Sequence, residues 1–402
     1  MAVTQLSTPS AATPSVSLPL KDQRSTTMTT PSSQPQPARN AGTSSIEDAV
    51  EWMRHGGFVV VMDNEDRENE GDLIAAAEFA TEEAVAFMLR HTTGIVCVPA
   101  LAERLQNELQ LPLMVENNTE VHKCKFTVTV DLREGNSTGV SAADRARTIR
   151  ALADPSVPPS AFNKPGHIFP LVAQRGGVLV RAGHTEAAVD LARLAGSRPV
   201  GYICEMNDEH GVMMRRPQLE AFAKTHSLPL ITISDLIRYR VRHEQLVQRR
   251  ASPSLAVASL QTPHGSFQYA EYESLIHDAQ QCYEVLVHGD VQGKRDVAVY
   301  FVEEGFLPSL HAQWAQRQIV ESFAASGGVL IYVNDSKKLL EISGELMARQ
   351  SIFGMGMQIV RDLGVESVTL LSSEPDARLA FDPNGFGIEV SRVIAVEMPS
   401  QQ

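Results

Sequence analysis

The ten residues DNEDRENEGD, at positions 63–72, include six carboxylates, one arginine and one glycine. They follow GGFVVVM, a glycine-led apolar run that is typical of a buried strand. Crowded carboxylates repel one another unless water, a cation or the hydroxyl groups of a phosphosugar lie among them. Glu68 and Glu70 therefore suit a hard cation such as Mg²⁺, and Arg67 favours a phosphosugar over plain solvation. A solvated loop that only confers solubility is the alternative.

A second stretch whose residue types could take part in catalysis or binding is RAGHTEAAVDLARLAG, residues 181–196. The preceding GGVLV predicts a strand that runs into a turn, after which a helix begins. Such a turn offers backbone amides and a helix N-terminus to a phosphate, and Arg181 adds positive charge. His184 could be a metal ligand or a base, although an isolated histidine is more often structural.

Two further residues are candidates for proton transfer. His167 lies in NKPGHIFPL, where prolines predict a stiff loop around the imidazole. Glu205 follows an apolar strand in GYICEMNDEHG, where partial burial would raise its pKa. A hydrogen-bonded structural histidine and an ordinary carboxylate at the end of a strand are the alternatives.

The elements that must position these residues alternate between strands and helices through residues 45–245. TSSIEDAVEWMRHGG predicts a helix capped by Ser45, and FVVVM predicts the first strand. KFTVTVDL alternates as a half-exposed strand does. This order predicts one domain of the α/β class with mixed, partly α+β, character.

Composition shifts divide the rest of the chain. Residues 1–44 are rich in Ser, Thr, Pro, Ala and Gln, which predicts a disordered tail. Residues 246–261 are expected to form a linker. Residues 262–398 again mix strands and helices and predict a second α/β domain.

Charge and cysteine content exclude several classes of function. The net charge of −13 and the isoelectric point of about 5.4 argue against general nucleic-acid binding and against anionic membranes. No apolar run is long enough to span a bilayer. The cysteines, at 97, 124, 204 and 282, form no CxxC pair, which indicates a reducing compartment, by default the cytoplasm.

The motifs together resemble 3,4-dihydroxy-2-butanone 4-phosphate synthase, a carbon–carbon lyase of riboflavin biosynthesis. The resemblance rests on DRENEGDLI, STGVSAADRARTI, PGHIFPL, RAGHTEAAVDL and CEMNDEHGVMMR, in this order within residues 45–245. It implies conversion of D-ribulose 5-phosphate into 3,4-dihydroxy-2-butanone 4-phosphate and formate, with Mg²⁺ or Mn²⁺ and without a redox cofactor. It also implies a homodimer with active sites at the subunit interface.

The resemblance assigns roles to residues of this chain. Glu68 and His184 would bind the metal, and His167 and Glu205 would transfer protons. The substrate would be held by a larger set: Arg67, Glu68, Asp72, Arg181, Ala182, Gly183, His184, Thr185 and Glu205. Cys97 and Cys204 lie in apolar strands and are expected to belong to the core rather than to act as nucleophiles.

The second domain resembles GTP cyclohydrolase II in HGDVQGKRDVAVYFV, GMGMQIVRDLGV and VTLLSSEPDARLAFDPNGFGIEV. The catalytic members of that family carry a three-cysteine zinc cluster, whereas residues 304–402 contain no cysteine. We therefore expect no zinc and a second domain without catalytic activity. A bifunctional enzyme that also opens GTP, and a non-enzymatic regulator of flavin biosynthesis, are the alternatives.

Overall fold

The structure is a computed structural model. It describes residues 43–65, 67–250, 259–262, 265–276, 282–303, 322–323, 327–333, 345–372 and 386–396. The predicted tail lies outside these residues, apart from Thr43 and Ser44. Much of residues 304–402, where we expect no zinc cluster, also lies outside them.

The first domain is built on a mixed sheet. In the described residues its seven strands have the order β4-β5-β3-β6-β2-β1-β7. Two neighbouring pairs, β1 with β7 and β3 with β5, are parallel, and the other pairs are antiparallel. The strands are β1 (Val59–Met62), β2 (Gly71–Ala76), β3 (Cys97–Leu101), β4 (Val130–Leu132), β5 (Phe162–Ala173), β6 (Gly201–Glu205) and β7 (Leu230–Thr232).

Helices cover both faces of this sheet, so its central strands are apolar on both sides. Ser45 and Thr81 cap the first two helices through hydrogen bonds to backbone amides, as the sequence around Ser45 predicts. The helices are α1 (Ile46–Arg54), α2 (Glu82–His91), α3 (Ala142–Ala153), α4 (His184–Leu194), α5 (Arg216–His226) and α6 (Ile233–His243). Short turns are 3₁₀-helical at Ala77–Phe79, Pro159–Ala161 and Gly177–Leu179 and π-helical at Glu103–Glu108.

The second sheet comprises eight strands in the part of the chain that the structure describes, in the order β15-β14-β12-β13-β11-β10-β8, with β9 paired to β10. A long helix, α7 (Glu345–Asp362), packs against α6 of the first domain. The strands are β8 (Val247–Arg249), β9 (Ser259–Thr262), β10 (Gly265–Ser274), β11 (Cys282–His288), β12 (Val297–Glu303), β13 (Gly328–Val333), β14 (Ser367–Ser372) and β15 (Glu389–Ala395). The mixed α/β class predicted from the sequence is confirmed.

The domain boundaries remain predictions, but the structure adds a detail near the first of them. The strand β8, within the predicted linker, pairs antiparallel with β10 through Val247 opposite Ser274. One cluster of buried apolar side chains runs from α1 through α6 into the second sheet. The two halves of the described chain therefore share a core.

Three local predictions are wrong. GGVLV forms the 3₁₀ turn Gly177–Leu179 rather than a strand, because Gly176 and Gly177 both have positive φ, at 91° and 65°. Only the end of KFTVTVDL, Val130–Leu132, forms a strand, and its register shifts between Val130 and Asp131.

The third wrong prediction concerns His167, which lies in the long strand β5 and not in a loop. The backbone amide of His167 donates to Asp131 Oδ1, and β5 pairs with β3 and β4 on either side of it. None of the described helices is long and apolar enough to cross a bilayer.

Candidate active site

The acidic stretch is the loop of an antiparallel hairpin, because β1 and β2 pair from Val59 opposite Ile74 to Met62 opposite Gly71. Asp63, at the start of this loop, is buried and turns its carboxylate inward. Its two oxygens accept hydrogen bonds from the backbone amides of Glu68 and Glu70, at 2.9 and 2.8 Å. Asp63 therefore shapes the loop that presents Glu68.

Arg67 offsets part of the negative charge of this loop. Its buried guanidinium donates hydrogen bonds to Asp63 Oδ2 at 3.1 Å and to Glu68 Oε2 at 2.7 Å. The sequence predicts Arg67 as a substrate ligand, and the structure adds a second role that the sequence does not reveal. Arg67 orients the Glu68 carboxylate by binding one of its oxygens.

Glu68 and His184 form a candidate metal centre. His184 Nδ1 lies 3.5 Å from Glu68 Oε2 and 3.7 Å from Asp72 Oδ1. Ligand atoms of Asp63, Glu68 and His184 all lie within 4.8 Å of one another. The other imidazole nitrogen, Nε2, is buried and has no hydrogen-bond partner among the described residues. An imidazole and carboxylates at this spacing, with a buried nitrogen left unpaired, fit a divalent cation.

The charges at this centre are strongly coupled. Burial would raise the pKa of Glu68, but the hydrogen bond to His184 and the charge of Arg67 outweigh burial and lower it to about 2. Burial would lower the pKa of His184, but Asp72 and then Glu68 raise it to about 9. Burial raises the pKa of Asp72 to about 7, against the opposing charge of His184. A cation that binds here must displace the proton of His184, since a metal takes the neutral imidazole.

The turn at residues 181–185 leads directly into α4. Gly183 is the N-cap residue of this helix, and His184 and Thr185 are its first two residues. A Cβ atom at Gly183 would lie 2.4 Å from Arg181 Nη1 and 3.1 Å from Arg67 Nη2, so a larger residue there would have to displace the Arg181 guanidinium. The unpaired amides of a helix N-terminus attract a phosphate, and this one lies beside the candidate metal centre.

Arg181 is occupied by partners within the protein. Its buried guanidinium donates to Glu186 Oε2 at 2.6 Å, to the backbone oxygen of His122 at 3.1 Å and to Cys124 Sγ at 3.2 Å. Contact of this side chain with a substrate phosphate stays a prediction. The observed contacts show that Arg181 fixes the segment that holds His122 against the site.

His122 was not singled out in the sequence. Its Nε2 lies 3.7 Å from Glu68 Oε1, whereas His184 lies nearest the other carboxylate oxygen, Oε2. Glu120 holds the segment by accepting hydrogen bonds from the backbone amides of His122 and Cys124, each at 2.8 Å. No local pattern in the sequence points to this contact, because it joins two segments more than 50 residues apart.

Glu205 lies at the end of β6 and is paired in register with Asp72 of β2. Thr93, which was not predicted, donates a hydrogen bond from Oγ1 to Glu205 Oε2 at 2.9 Å. Glu205 also contributes to the raised pKa of Asp72, after burial. The structure therefore brings Glu205 into the same group as Glu68, Asp72 and His184.

His167 has a carboxylate partner of its own. Its Nδ1 lies 2.7 Å from Asp131 Oδ2, and its backbone amide donates to Asp131 Oδ1 at 2.9 Å. A Cβ atom at Gly139 would overlap both side chains, which explains the glycine at that position. In the described residues β3 separates the strand of His167 from that of Glu205, and no ion pair or hydrogen bond joins His167 to the metal-centre group.

Cys97 and Cys204 are core residues, as predicted. Cys97 and Cys204 are buried in β3 and β6, and burial raises the pKa of both thiols, that of Cys204 to about 11. Such thiols carry little thiolate at neutral pH and are poor nucleophiles.

Comparison with known families agrees with the two-part organisation of the chain. Residues 47–239 match the 3,4-dihydroxy-2-butanone 4-phosphate synthase family, and residues 254–395 match the GTP cyclohydrolase II family.

Similar proteins cover nearly the whole chain. The monofunctional riboflavin biosynthesis protein RIBA 2, chloroplastic, of Arabidopsis thaliana is 41% identical over 87% of this chain and 76% of its own length. The riboflavin biosynthesis protein RibBA of Salinispora arenicola is 42% identical over 88% of this chain and 89% of its own length. The crystal structure of RibBX, a two-domain 3,4-dihydroxy-2-butanone 4-phosphate synthase from A. baumannii, superposes with a TM-score of 0.72 at 38% identity. It covers 88% of this chain and 100% of its own.

Proposed function

The chain belongs to the family of two-domain riboflavin biosynthesis proteins, and we propose which residues carry its reaction and which of the family's two reactions it performs. In this family a 3,4-dihydroxy-2-butanone 4-phosphate synthase domain precedes a GTP cyclohydrolase II domain. Its first domain is a lyase that forms 3,4-dihydroxy-2-butanone 4-phosphate and formate from D-ribulose 5-phosphate. The observation that carries the assignment of residues is the group of Glu68, His184 and Glu205 beside the N-terminus of α4.

Glu68 and His184 are the proposed ligands of a divalent cation, Mg²⁺ or Mn²⁺. The unpaired, buried Nε2 of His184 and the low pKa of Glu68 support this choice. When bound, the cation supplies Lewis-acid polarisation of sugar oxygens. Asp63 and Arg67 keep the Glu68 carboxylate in place, so that the site exists before substrate arrives.

The substrate phosphate is assigned to the turn from Arg181 to Thr185 and to the first amides of α4. Asp72 and the open face of Glu68 accept hydrogen bonds from sugar hydroxyl groups. With the phosphate held at one end, the carbon chain extends toward Glu205, the last residue of its strand.

The reaction removes a proton next to a carbonyl, expels water, shifts the carbon skeleton, takes up a water molecule from solvent at the carbonyl carbon that is to be lost, and releases that carbon as formate, so that no water is gained or lost overall. Glu205 and His167 are the proposed proton carriers. Thr93 holds one Glu205 oxygen by donating a hydrogen bond, which leaves the other oxygen for substrate. Asp131 fixes the His167 ring through Nδ1, so that Nε2 is the nitrogen that exchanges a proton.

We propose that the protein works as a homodimer with its active sites at the subunit interface. His167 is separated from Glu205 by one strand within the chain, so a partner subunit can supply it. Exposed apolar side chains between residues 95 and 140 support this arrangement, since such surfaces are usually covered. They are Ile95, Leu113, Met114, Val115, Val121 and Val140, with exposures between 37% and 84%.

The cytoplasm is the proposed compartment, supported by four unpaired cysteines. The relative from Arabidopsis is named as chloroplastic. We expect no nucleic-acid or membrane partner, because the net charge is −13.

Chelation tests the metal requirement. Formate release from D-ribulose 5-phosphate should stop in excess EDTA and return with Mg²⁺ or Mn²⁺, because Glu68 and His184 lack the charge needed to stabilise developing oxyanions alone. Formate is measured by a coupled formate dehydrogenase assay. Full activity in excess EDTA would remove the metal role of both residues, and no formate under any metal condition would favour a non-enzymatic regulator.

We propose that the second domain does not open GTP. Zinc in such a site needs thiolate ligands, and residues 304–402 contain no cysteine. Incubation with GTP should release no formate, and metal analysis of the purified protein should find no stoichiometric zinc. Zinc at one equivalent per chain together with GTP-dependent formate would make the enzyme bifunctional.

A further inference from the structure

A buried ion pair links the substrate-binding helix to the last helix of the first domain. Arg240 of α6 donates from Nη1 to Asp190 Oδ2 of α4 at 2.8 Å, and both side chains are 4% exposed. Asp190 lies six residues after His184 in the same helix, or about 9 Å along its axis. The pair therefore holds α4 within two turns of the candidate metal ligand.

The same two residues also hold the turn that precedes the site. Arg240 Nη1 donates to the backbone oxygen of Gly176 at 2.6 Å, and Asp190 Oδ2 accepts from the backbone amide of Val178 at 2.8 Å. A Cβ atom at Gly177 would lie 2.2 Å from the Asp190 carboxylate, so the turn packs directly on this ion pair. Any shift of Arg240 must move both the turn and α4.

The second domain contacts this assembly at two points. A Cβ atom at Gly176 would lie 2.6 Å from the backbone oxygen of Ile276, two residues after the end of β10. Gln358 of α7 is buried and donates to the backbone oxygens of Val241, at 2.5 Å, and Glu244, at 2.8 Å.

Gln358 also closes the end of α6 from the other side, because its Oε1 accepts a hydrogen bond from the amide of Leu246 at 2.9 Å. Both carboxylate oxygens of Glu244 accept hydrogen bonds from the Arg240 guanidinium, at 3.0 and 2.9 Å. A continuous set of buried and partly buried polar contacts thus runs from Gln358 through Glu244, which is 21% exposed, and Arg240 to Asp190. Each group in it is costly to leave unpaired, which favours one fixed arrangement.

We propose that Gln358 and Arg240 are positioning residues, and that the second domain serves the lyase reaction by holding the turn at Gly176–Val178 and the helix α4 in place. The domain keeps this role without any cyclohydrolase chemistry. Only the kinetic part of the test below rests on the proposed function of the first domain.

Gln350 provides a matched control on the same helix. It is also buried in α7, and its Oε1 accepts from Ser234 Oγ of α6 at 2.9 Å, but at the opposite end of α6 from Arg240. The experiment compares Gln358→Met and Gln350→Met in the full-length chain. Each variant removes one buried amide at the same interface and keeps similar volume.

Three quantities are measured: kcat for D-ribulose 5-phosphate at saturating Mg²⁺, the melting temperature, and hydrogen exchange of peptides covering residues 174–194. We expect Gln358→Met to lower kcat about threefold to tenfold and to speed exchange in those peptides. Gln350→Met removes one hydrogen bond where Gln358→Met removes three, so it should lower the melting temperature less, with kcat within about twofold of the wild type and unchanged exchange there.

Equal effects of the two variants on kcat, or an unchanged kcat and exchange in Gln358→Met, would overturn the proposal. If Gln358→Met does not fold, Arg240→Lys is tested in its place. Lysine keeps the positive charge beside Asp190 but cannot donate two parallel hydrogen bonds to the Glu244 carboxylate. The same selective loss is then expected. If the wild type releases no formate, the proposed function fails, while hydrogen exchange still decides whether the second domain holds α4.

Discussion

Glu68→Gln should lower the rate of formate release from D-ribulose 5-phosphate by at least about tenfold to a hundredfold. The substitution keeps the size of the side chain and removes its charge. That charge is the counterpart of His184 at 3.5 Å and of Arg67 at 2.7 Å, and it is the anionic member of the proposed metal ligands. The variant should also bind Mn²⁺ more weakly, which paramagnetic relaxation or titration calorimetry measures without reference to turnover.

The matched control is Glu70→Gln, two residues away in the same hairpin loop. Burial and then the charge of Glu68 raise the pKa of Glu70, and its nearest cation is Arg215, at 4.0 Å. It is not among the carboxylates grouped around His184. We expect a smaller loss of activity and little change in metal affinity. Equal and mild effects in the two variants would indicate a solvated acidic loop instead of a metal centre.

His167→Ala should lower turnover by about a hundredfold or more, as expected for loss of a general acid or base, while the melting temperature stays close to that of the wild type. The side chain is 44% exposed, so its removal leaves no large cavity. Asp131→Asn is the companion variant, because the amide can still accept from the His167 backbone but no longer stabilises a charged ring. Loss of stability in step with activity would give His167 a structural role.

Mixing two inactive variants tests the position of His167 in a dimer. Heterodimers of His167→Ala with Glu205→Gln carry one site with both residues intact only if the two residues of a site come from different subunits. Refolding or subunit exchange of the mixture should then restore part of the activity. No recovery in a mixture shown to contain heterodimers would place both residues of each site in one chain.

The hairpin loop shows how one dense acidic stretch divides into different tasks. Asp63 accepts two backbone amides and shapes the loop, Glu68 meets His184, and Asp72 is buried with a pKa raised to about 7. The repulsion implied by six carboxylates in ten residues is relieved by amides, by Arg67 and by His184. A cation is therefore not needed to hold the loop together, and its proposed place is between the Glu68 carboxylate and the His184 imidazole.

Local sequence determined the helices and the apolar strands. The helix at Ile46–Arg54 begins after Ser45 and the one at Glu82–His91 after Thr81, because side-chain caps and apolar spacing act over a few residues. The order of the motifs also identified the family and the reaction. These signals lie within single segments, so they can be read without knowing how segments meet.

Prediction failed where a distant partner overrides local preference. GGVLV reads as a strand, but the carboxylate of Asp190 binds the amide of Val178 and stabilises a turn. His167 reads as a loop residue, but β3 and β4 pair with the strand that contains it.

The sequence by itself determined which residues could do chemistry, since side-chain type and motif order are local properties. Only the tertiary structure decided which of them meet, because contacts such as Glu68 with His122, Thr93 with Glu205, and Gln358 with the end of α6 join segments from 54 to more than 100 residues apart. Each of these contacts is fixed by sheet order and by burial of polar groups that must find partners. Neither constraint is visible in the spacing of residues along one segment.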